Sequence, residues 1–226
     1  MSKLPSLILL IDECVKSCPH PQVKFQVRQL AAQEKTRRLL YRLYDRDPYT
    51  FFHCFRVAEL VLALGMELNL DPEELAEATL CGLFHDIGKI FTPDLILKKP
   101  GKLDAEEFRV MQHHPIDSQK LVESINSLKH IGISVRAHHE RWDGKGYPDQ
   151  LEFEKIPYFA RLIFVCDTFD AMTSMRIYQK NRNIEEAYLE LERCAGSQLD
   201  PQIVPAFLAA HKKLSESKVL RETLAA

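Results

Sequence analysis

Apolar residues recur at three-to-four spacing along most of this chain, and sustained two-residue alternation is missing, so the pattern predicts helices throughout. Between residues 21 and 46, Val23, Val27, Leu30 and Ala31, then Leu40, Leu43 and Tyr44, mark one helical stretch opened by Pro21. It is expected to end near Asp45–Pro48. Asp71-Pro72-Glu73-Glu74 supplies an N-cap, a first-turn proline and acidic side chains at the positive helix end, which predicts a helix running to about Lys89. That helix would carry His85 and Asp86 in its last turn, facing the core. Capping-box patterns recur at Asp104 with Glu107 and at Asn183 with Glu186, and Asp200-Pro201 opens a segment reaching His211. Residues 129–140 and 158–172 read as buried helices. Periodicity leaves a strand open for such short apolar runs, and their helical neighbours decide the reading.

Two stretches interrupt the pattern. Residues 91–103 and 141–157 are rich in proline and glycine, and each follows directly on a pair of adjacent polar residues, His85-Asp86 and His138-His139. Loops anchored beside a rigid site are where substrate contacts usually lie. No internal repeat is present. The expected architecture is all-α, with a short helical N-terminal extension over residues 1–48 and one domain over residues 49–226.

Composition narrows the class. With 226 residues, 46% of them hydrophobic, the chain can bury a proper core. A net charge of -2, from 30 basic and 32 acidic residues, points away from a nucleic-acid polymer as partner. The apolar run at residues 7–11 leads straight into Asp12-Glu13 and is too short for a signal peptide or a membrane span, so no membrane partner is expected. The six cysteines are scattered at positions 14, 18, 54, 81, 166 and 194, the pattern of reduced core thiols in a cytoplasmic protein. Cys14, Cys18 and His20 lie close in sequence but lack a fourth clustered ligand, and they are read as no metal site.

The candidate chemistry starts at His85-Asp86. An adjacent imidazole and carboxylate can hold two metal ions that share the carboxylate. His53, His114, His138, His139 and Asp167 stand at positions suited to completing that cage, and nitrogen and oxygen ligands without cysteine suit a catalytic dinuclear site better than a structural zinc site. The mixture favours iron or manganese over zinc or nickel. Two such ions can trap a bridging hydroxide and stabilise both the attacking and the leaving oxygen of a phosphodiester. An isolated histidine is more often an ordinary hydrogen-bonded residue, and His20, His113, His130 and His211 are left in that class. Adjacent polar pairs at the ends of apolar segments are different, because burying them without a strong partner is costly.

Taken in order, HCFRVAEL, HDIGKI, PDLILKKPGKL, HHP, HHERWDGKGYP, IPYFARLIFVCDTFDAMTSMR and LDPQIVPAFL span residues 53–208. Together they resemble an HD-GYP domain, the bacterial branch of the HD phosphohydrolase superfamily that degrades cyclic di-GMP. The resemblance implies an all-helical HD core and two divalent metal ions per chain. It implies that His53, His85, Asp86 and Asp167 hold one ion, and that Asp86 bridges to a second held by His114, His138 and His139. Lys89 would meet a phosphate oxygen of the substrate. Gly144, Gly146, Tyr147 and Pro148 form the signature loop, in which Tyr147 stacks on a guanine or orients a neighbouring side chain. Arg176 would contact the nucleotide beyond the metals, and Asp170 would either support a ligand or help proton transfer.

The activity this implies is hydrolysis of cyclic di-GMP to linear pGpG, with further cleavage to GMP as a second step. The alternatives are a phosphodiesterase for another cyclic dinucleotide, or a weakly active module that binds metal and nucleotide and signals through a protein partner such as a diguanylate cyclase domain or a regulator. Three departures from the family pattern stand out. Gln179 replaces a basic residue, and residues 1–48 are too short for a receiver domain. Tyr49 stands where some members carry a glutamate that admits a third ion, which predicts two ions and not three, unless Pro48 bends the chain so that Asp47 swings into the glutamate's place.

Overall fold

The structure is a computed structural model that describes residues 6–174 and 183–225. Among these residues it contains no strand. In chain order the α-helices are α1 (Leu7–Cys14), α2 (Pro21–Ala32), α3 (Glu34–Arg46), α4 (Pro48–Glu67), α5 (Pro72–Phe84), α6 (Asp94–Leu97), α7 (Ala105–Met111), α8 (His114–Glu123), α9 (Gly132–Arg136), α10 (Tyr158–Thr173), α11 (Ile184–Cys194) and α12 (Ile203–Ala225). Short 3-10 turns cover Ile87–Phe91, Asn126–Ile131 and Phe153–Lys155.

Helix α4 is the hub. Its 20 residues bury Phe51, Cys54, Val57, Ala58, Val61, Leu62 and Leu64, and α3, α5, α10 and α12 pack around it. A helix apolar on all sides belongs inside a core. By length and composition α4 matches a membrane span, and 72% of its apolar window is buried inside this protein. The N-terminal helices join the same core, since Leu7, Ile11, Val23, Val27 and Leu40 form one apolar cluster with α4 and α5. The capping boxes expected from sequence at Asp104 and Asn183 close in both directions, and the N-cap expected at Asp71 forms a capping box with Glu74 as well.

Three expectations need correction. The stretch from 21 to 46 is two helices, because Gln33 takes an extended conformation and Thr36 Oγ1 donates to the Leu30 and Gln33 carbonyls. Helix α5 stops at Phe84, well before Lys89, and Asp86 precedes a 3-10 turn. The reason is Gly88, which comes so close to α8 that an added Cβ would sit 2.2 Å from the His114 carbonyl oxygen. Its N–H is donated across to Ser118 Oγ at 2.8 Å, outside any α-helical ladder. Residues 129–140 are likewise not one helix. They comprise the end of a 3-10 turn, the five-residue α9 and a following turn, in which His138 Nδ1 occupies the Val135 carbonyl.

Candidate metal centre

Five elements converge on one buried point. Helix α4 brings His53, the end of α5 brings His85 and Asp86, the first residue of α8 is His114, the turn after α9 brings His138 and His139, and α10 brings Asp167. His53, His85, Asp86, His114 and His138 are each at most 2% exposed. Candidate ligand atoms fall into two groups, each spanning at most 4.8 Å: His53, His85 and Asp86, and Asp86, His114, His138 and His139.

Asp86 belongs to both groups, and its two oxygens divide between them. Oδ2 lies 3.6 Å from His53 Nε2 and 3.5 Å from His85 Nε2. Oδ1 lies 3.0 Å from His114 Nε2 and 3.8 Å from His138 Nε2. Asp167 adds an oxygen 3.1 Å from His53 Nε2, and its other oxygen is 4.0 Å from His139 Nδ1. One carboxylate thus faces two sets of imidazole nitrogens.

Hydrogen bonds fix which nitrogen each ring presents. His85 Nδ1 lies 2.8 Å from the Gly82 carbonyl, His114 Nδ1 2.7 Å from Met111's, and His138 Nδ1 2.6 Å from Val135's. A carbonyl only accepts, so Nδ1 carries the proton in all three rings and neutral Nε2 presents a lone pair. His85 Nε2 is buried and, among the described residues, has no hydrogen-bond partner. His114 Nε2 and His138 Nε2 face one another at 3.2 Å, two acceptors with no proton between them in the neutral rings. Orphaned and opposed lone pairs in a dry site fit a cation. The cluster is compatible with divalent metal binding.

The electrostatics agree. Burial lowers the pKa of His85, takes His138 well below the usual imidazole range and brings His139 to about 3, so these rings stay neutral and ready to ligate. Burial also pulls on His53, but Asp167 and Asp170 outweigh it and raise this ring to about 9. In the metal-free protein a proton on His53 therefore stands where a cation would. Burial by itself would raise the Asp86 carboxyl, yet the Lys89 ammonium beside it holds it well below the ordinary range.

A family model described as HD domain matches residues 26–203. The chain belongs to the HD-domain family. Over 172 residues it is 41% identical to a cyclic di-GMP phosphodiesterase of Pseudomonas aeruginosa, an alignment covering 76% of this chain and 41% of that protein. Over 173 residues it is 38% identical to a cyclic di-GMP phosphodiesterase of Thermotoga maritima, covering 76% of this chain and 47% of that protein. The chain thus spans less than half the length of these two curated relatives. In fold it is similar to an HDG"Y"P protein from Bdellovibrio bacteriovorus, with a TM-score of 0.62 at 16% identity over 90% of this chain and 77% of that one.

In this HD domain the remaining residues named from sequence take distinct places. Lys89 Nζ lies 2.5 Å from Asp86 Oδ2, at the edge of the cluster. Asp170 lies behind His53: its Oδ2 is 2.7 Å from His53 Nδ1, and Arg56 grips both its oxygens at 2.7 and 2.9 Å. The geometry therefore places Asp170 as a support that orients the His53 ring, away from the point where the ligand atoms converge. Tyr147 packs against His139 with ring centroids 4.8 Å apart, and its N–H donates to the His139 carbonyl at 3.2 Å. Arg176 and Gln179 lie outside the described residues. Cys14 and Cys18 contact the Phe55 and His20 carbonyls.

The sequence reading missed the bracing of the signature loop. Gly146 fits only because it lacks a side chain, since a Cβ there would lie 2.3 Å from Arg141 N. Glu140 is 1% exposed and its carboxylate accepts from Asp149 N at 2.6 Å and Leu151 N at 3.1 Å. Arg161 sits between the rings of Trp142 and Tyr158, at 5.7 and 5.1 Å, and pairs with buried Asp200 at 2.7 Å. A charged residue directly after His139 was the one available signal for Glu140. Nothing local marked Arg161.

Proposed function

We infer that this chain is a metal-dependent phosphodiesterase that hydrolyses cyclic di-GMP to linear pGpG, with GMP as the product of a second cleavage. The observation that carries this reading is the division of Asp86, one oxygen toward His53 and His85 and the other toward His114 and His138. The relatives' names supply the substrate. His53, His85, Asp86 and Asp167 hold one divalent ion, and Asp86, His114, His138 and His139 hold the second. Iron or manganese suits this ligand set best, with zinc and nickel next.

Two ions, and not three, follow from what surrounds the first group. Tyr49 lies one turn before His53 with its ring parallel to the imidazole, so an aromatic ring fills the position from which a carboxylate would reach a further ion. Asp47 is already committed to capping α4, accepting from Tyr49 N, Thr50 N and Thr50 Oγ1.

Bound ions supply an acidified water for attack on phosphorus and positive charge against the developing negative charge. The chain's own groups do the rest. Lys89 places an ammonium beside the cluster, where it meets a non-bridging phosphate oxygen. Tyr147, whose phenol burial keeps neutral, closes the His139 side. Asp170 holds the His53 ring in the tautomer that presents Nε2. The family resemblance assigns Arg176 to binding the nucleotide. All six cysteines are buried, which suits core thiols in a reducing, cytoplasmic setting.

The test is anaerobic purification, elemental analysis, and chromatography of cyclic di-GMP incubated with protein and added iron or manganese. Metal near two ions per chain with conversion to pGpG is the expected result. Stoichiometric metal with intact cyclic di-GMP overturns it.

A further inference from the structure

Beside the His53 edge of the cluster lies a cleft of about 310 Å³ lined by Pro48, Tyr49, Phe52, Arg56 and Ser174. It shares walls with the metal centre. The Tyr49 ring lies parallel to His53 at 6.4 Å, and Arg56 is bound to Asp170, the residue that orients His53. Pro48, Tyr49 and Phe52 give flat apolar walls.

The state of Arg56 makes the cleft specific. Its guanidinium has two hydrogen-bonding edges, and Asp170 occupies only the inner one: Nε donates to Oδ1 at 2.7 Å and Nη2 to Oδ2 at 2.9 Å. Ser174 Oγ donates to Asp170 Oδ1 at 2.8 Å, so the carboxylate holding the arginine is itself held. Among the described residues Nη1 donates to nothing, and the side chain is 38% exposed. The guanidinium carbon stands 5.7 Å from the Tyr49 ring centre, which further limits its motion. The outer edge, formed by Nη1 and the second proton of Nη2, is thus a rigid two-donor fork at the wall of an aromatic cleft.

A fork of two donors fits two adjacent acceptors in one plane. Guanine presents O6 and N7 as such a pair, whereas adenine presents N7 as an acceptor beside an N6 donor, which opposes the fork. We propose that the Tyr49–Arg56 cleft is a guanine subsite, in which the base lies against the aromatic wall and Arg56 donates from Nη1 and Nη2 to O6 and N7. It deepens the phosphodiesterase reading and rests on it, since it seats one base of the dinucleotide whose phosphate lies at the metals. It makes Arg56 the residue that selects guanine over adenine.

The test compares GMP with AMP by isothermal titration of the metal-loaded full chain, and kcat/KM for cyclic di-GMP with that for cyclic di-AMP. Wild type is expected to prefer guanine in both. Arg56→Gln, whose amide matches the adenine edge, should reduce the guanine-to-adenine ratio about tenfold or more. Tyr49→Leu leaves the Arg56–Asp170 pair in place and should weaken both mononucleotides at constant metal content. Should Arg56→Gln fail to fold, Arg56→Lys serves, because it keeps the charge but loses the fork and with it the preference.

Equal losses for both bases together with shed metal would make Arg56 only a brace for Asp170 and overturn the subsite. A guanine preference unchanged in every variant would do the same. Hydrolysis of cyclic di-GMP with an unchanged preference removes the subsite and leaves the phosphodiesterase reading standing. Loss of the GMP preference in a protein that hydrolyses neither dinucleotide removes that reading and leaves the subsite.

Discussion

His114 and His138 aim their Nε2 atoms at each other across 3.2 Å while each ring's Nδ1 is committed to a backbone carbonyl three residues upstream. Two opposed lone pairs in a buried site raise the energy of the metal-free state, and a cation between them removes that cost. Chelation should therefore lower thermal stability. Metal at about 100 times its Kd contributes about 2.7 kcal/mol. In a domain of this size that corresponds to a fall in Tm of roughly 5–10 °C on removal. Differential scanning fluorimetry with and without EDTA measures it, and an unchanged Tm would count against the site.

Asp86 serves both groups, so Asp86→Ala should empty both at once. Activity should fall by more than the roughly 10- to 100-fold that loss of an outer supporting group costs. His139→Ala, which belongs to one group, should leave about half the metal. Elemental analysis of the two variants separates shared from private ligands. Retention of one full equivalent by Asp86→Ala would show that the carboxylate does not bridge.

Asp170 and Arg56 stand behind His53, and the carboxyl of Asp170 is drawn down to about 2: burial opposes ionisation, but hydrogen bonds from His53 and Arg56 prevail. Asp170→Asn should weaken the His53-side ion roughly 10- to 100-fold while sparing the other. Competition with a fluorescent chelator gives both constants. Equal weakening of the two ions would contradict the assignment of Asp170 to His53.

His53, raised to about 9 in the metal-free protein, keeps its proton at neutral pH and must release it to bind an ion. Its proton is bound below about pH 9 and lost above it. Metal affinity on that side should thus fall up to about tenfold for each unit of pH below 9 and level off above it. His139, lowered to about 3, has no proton to release in this range, so the other side lacks its contribution to that slope. Manganese titrations between pH 6.5 and 9.5 would show two classes of site that differ in pH dependence; two parallel slopes would be the contrary result.

Arg161 clamps the signature loop through Trp142, the chain's single tryptophan. Breaking its pair with Asp200, whose side chain is 2% exposed, should cost about 3–5 kcal/mol. Release of the loop should shift Trp142 emission to the red and raise KM more than it lowers kcat, because Tyr147 is on that loop and the metal ligands are not. Arg161→Lys should restore part of the emission. An unmoved spectrum in a folded Arg161→Ala protein would mean the loop is held by Glu140 alone.

The linear chain by itself determined the helical content, the helix starts at Asp71, Asp104 and Asn183 and the adjacent pairs His85-Asp86 and His138-His139 from which the candidate site was read, because periodicity, caps and adjacent polar pairs are properties of neighbouring residues. Tertiary structure decided what depends on distant partners. Helix α5 breaks after Phe84 since Gly88 gives its N–H to Ser118, 30 residues away. Asp170 turns from the convergence point to the back of His53, 117 residues earlier, because that ring and Arg56 offer it donors there. The division of Asp86 between two groups, the tautomers of three histidines and the open edge of Arg56 all arise from packing five separate elements around one buried carboxylate. No local pattern encodes which nitrogen or oxygen will face the others, since hydrogen bonds to whichever backbone and side chains arrive beside each ring select it.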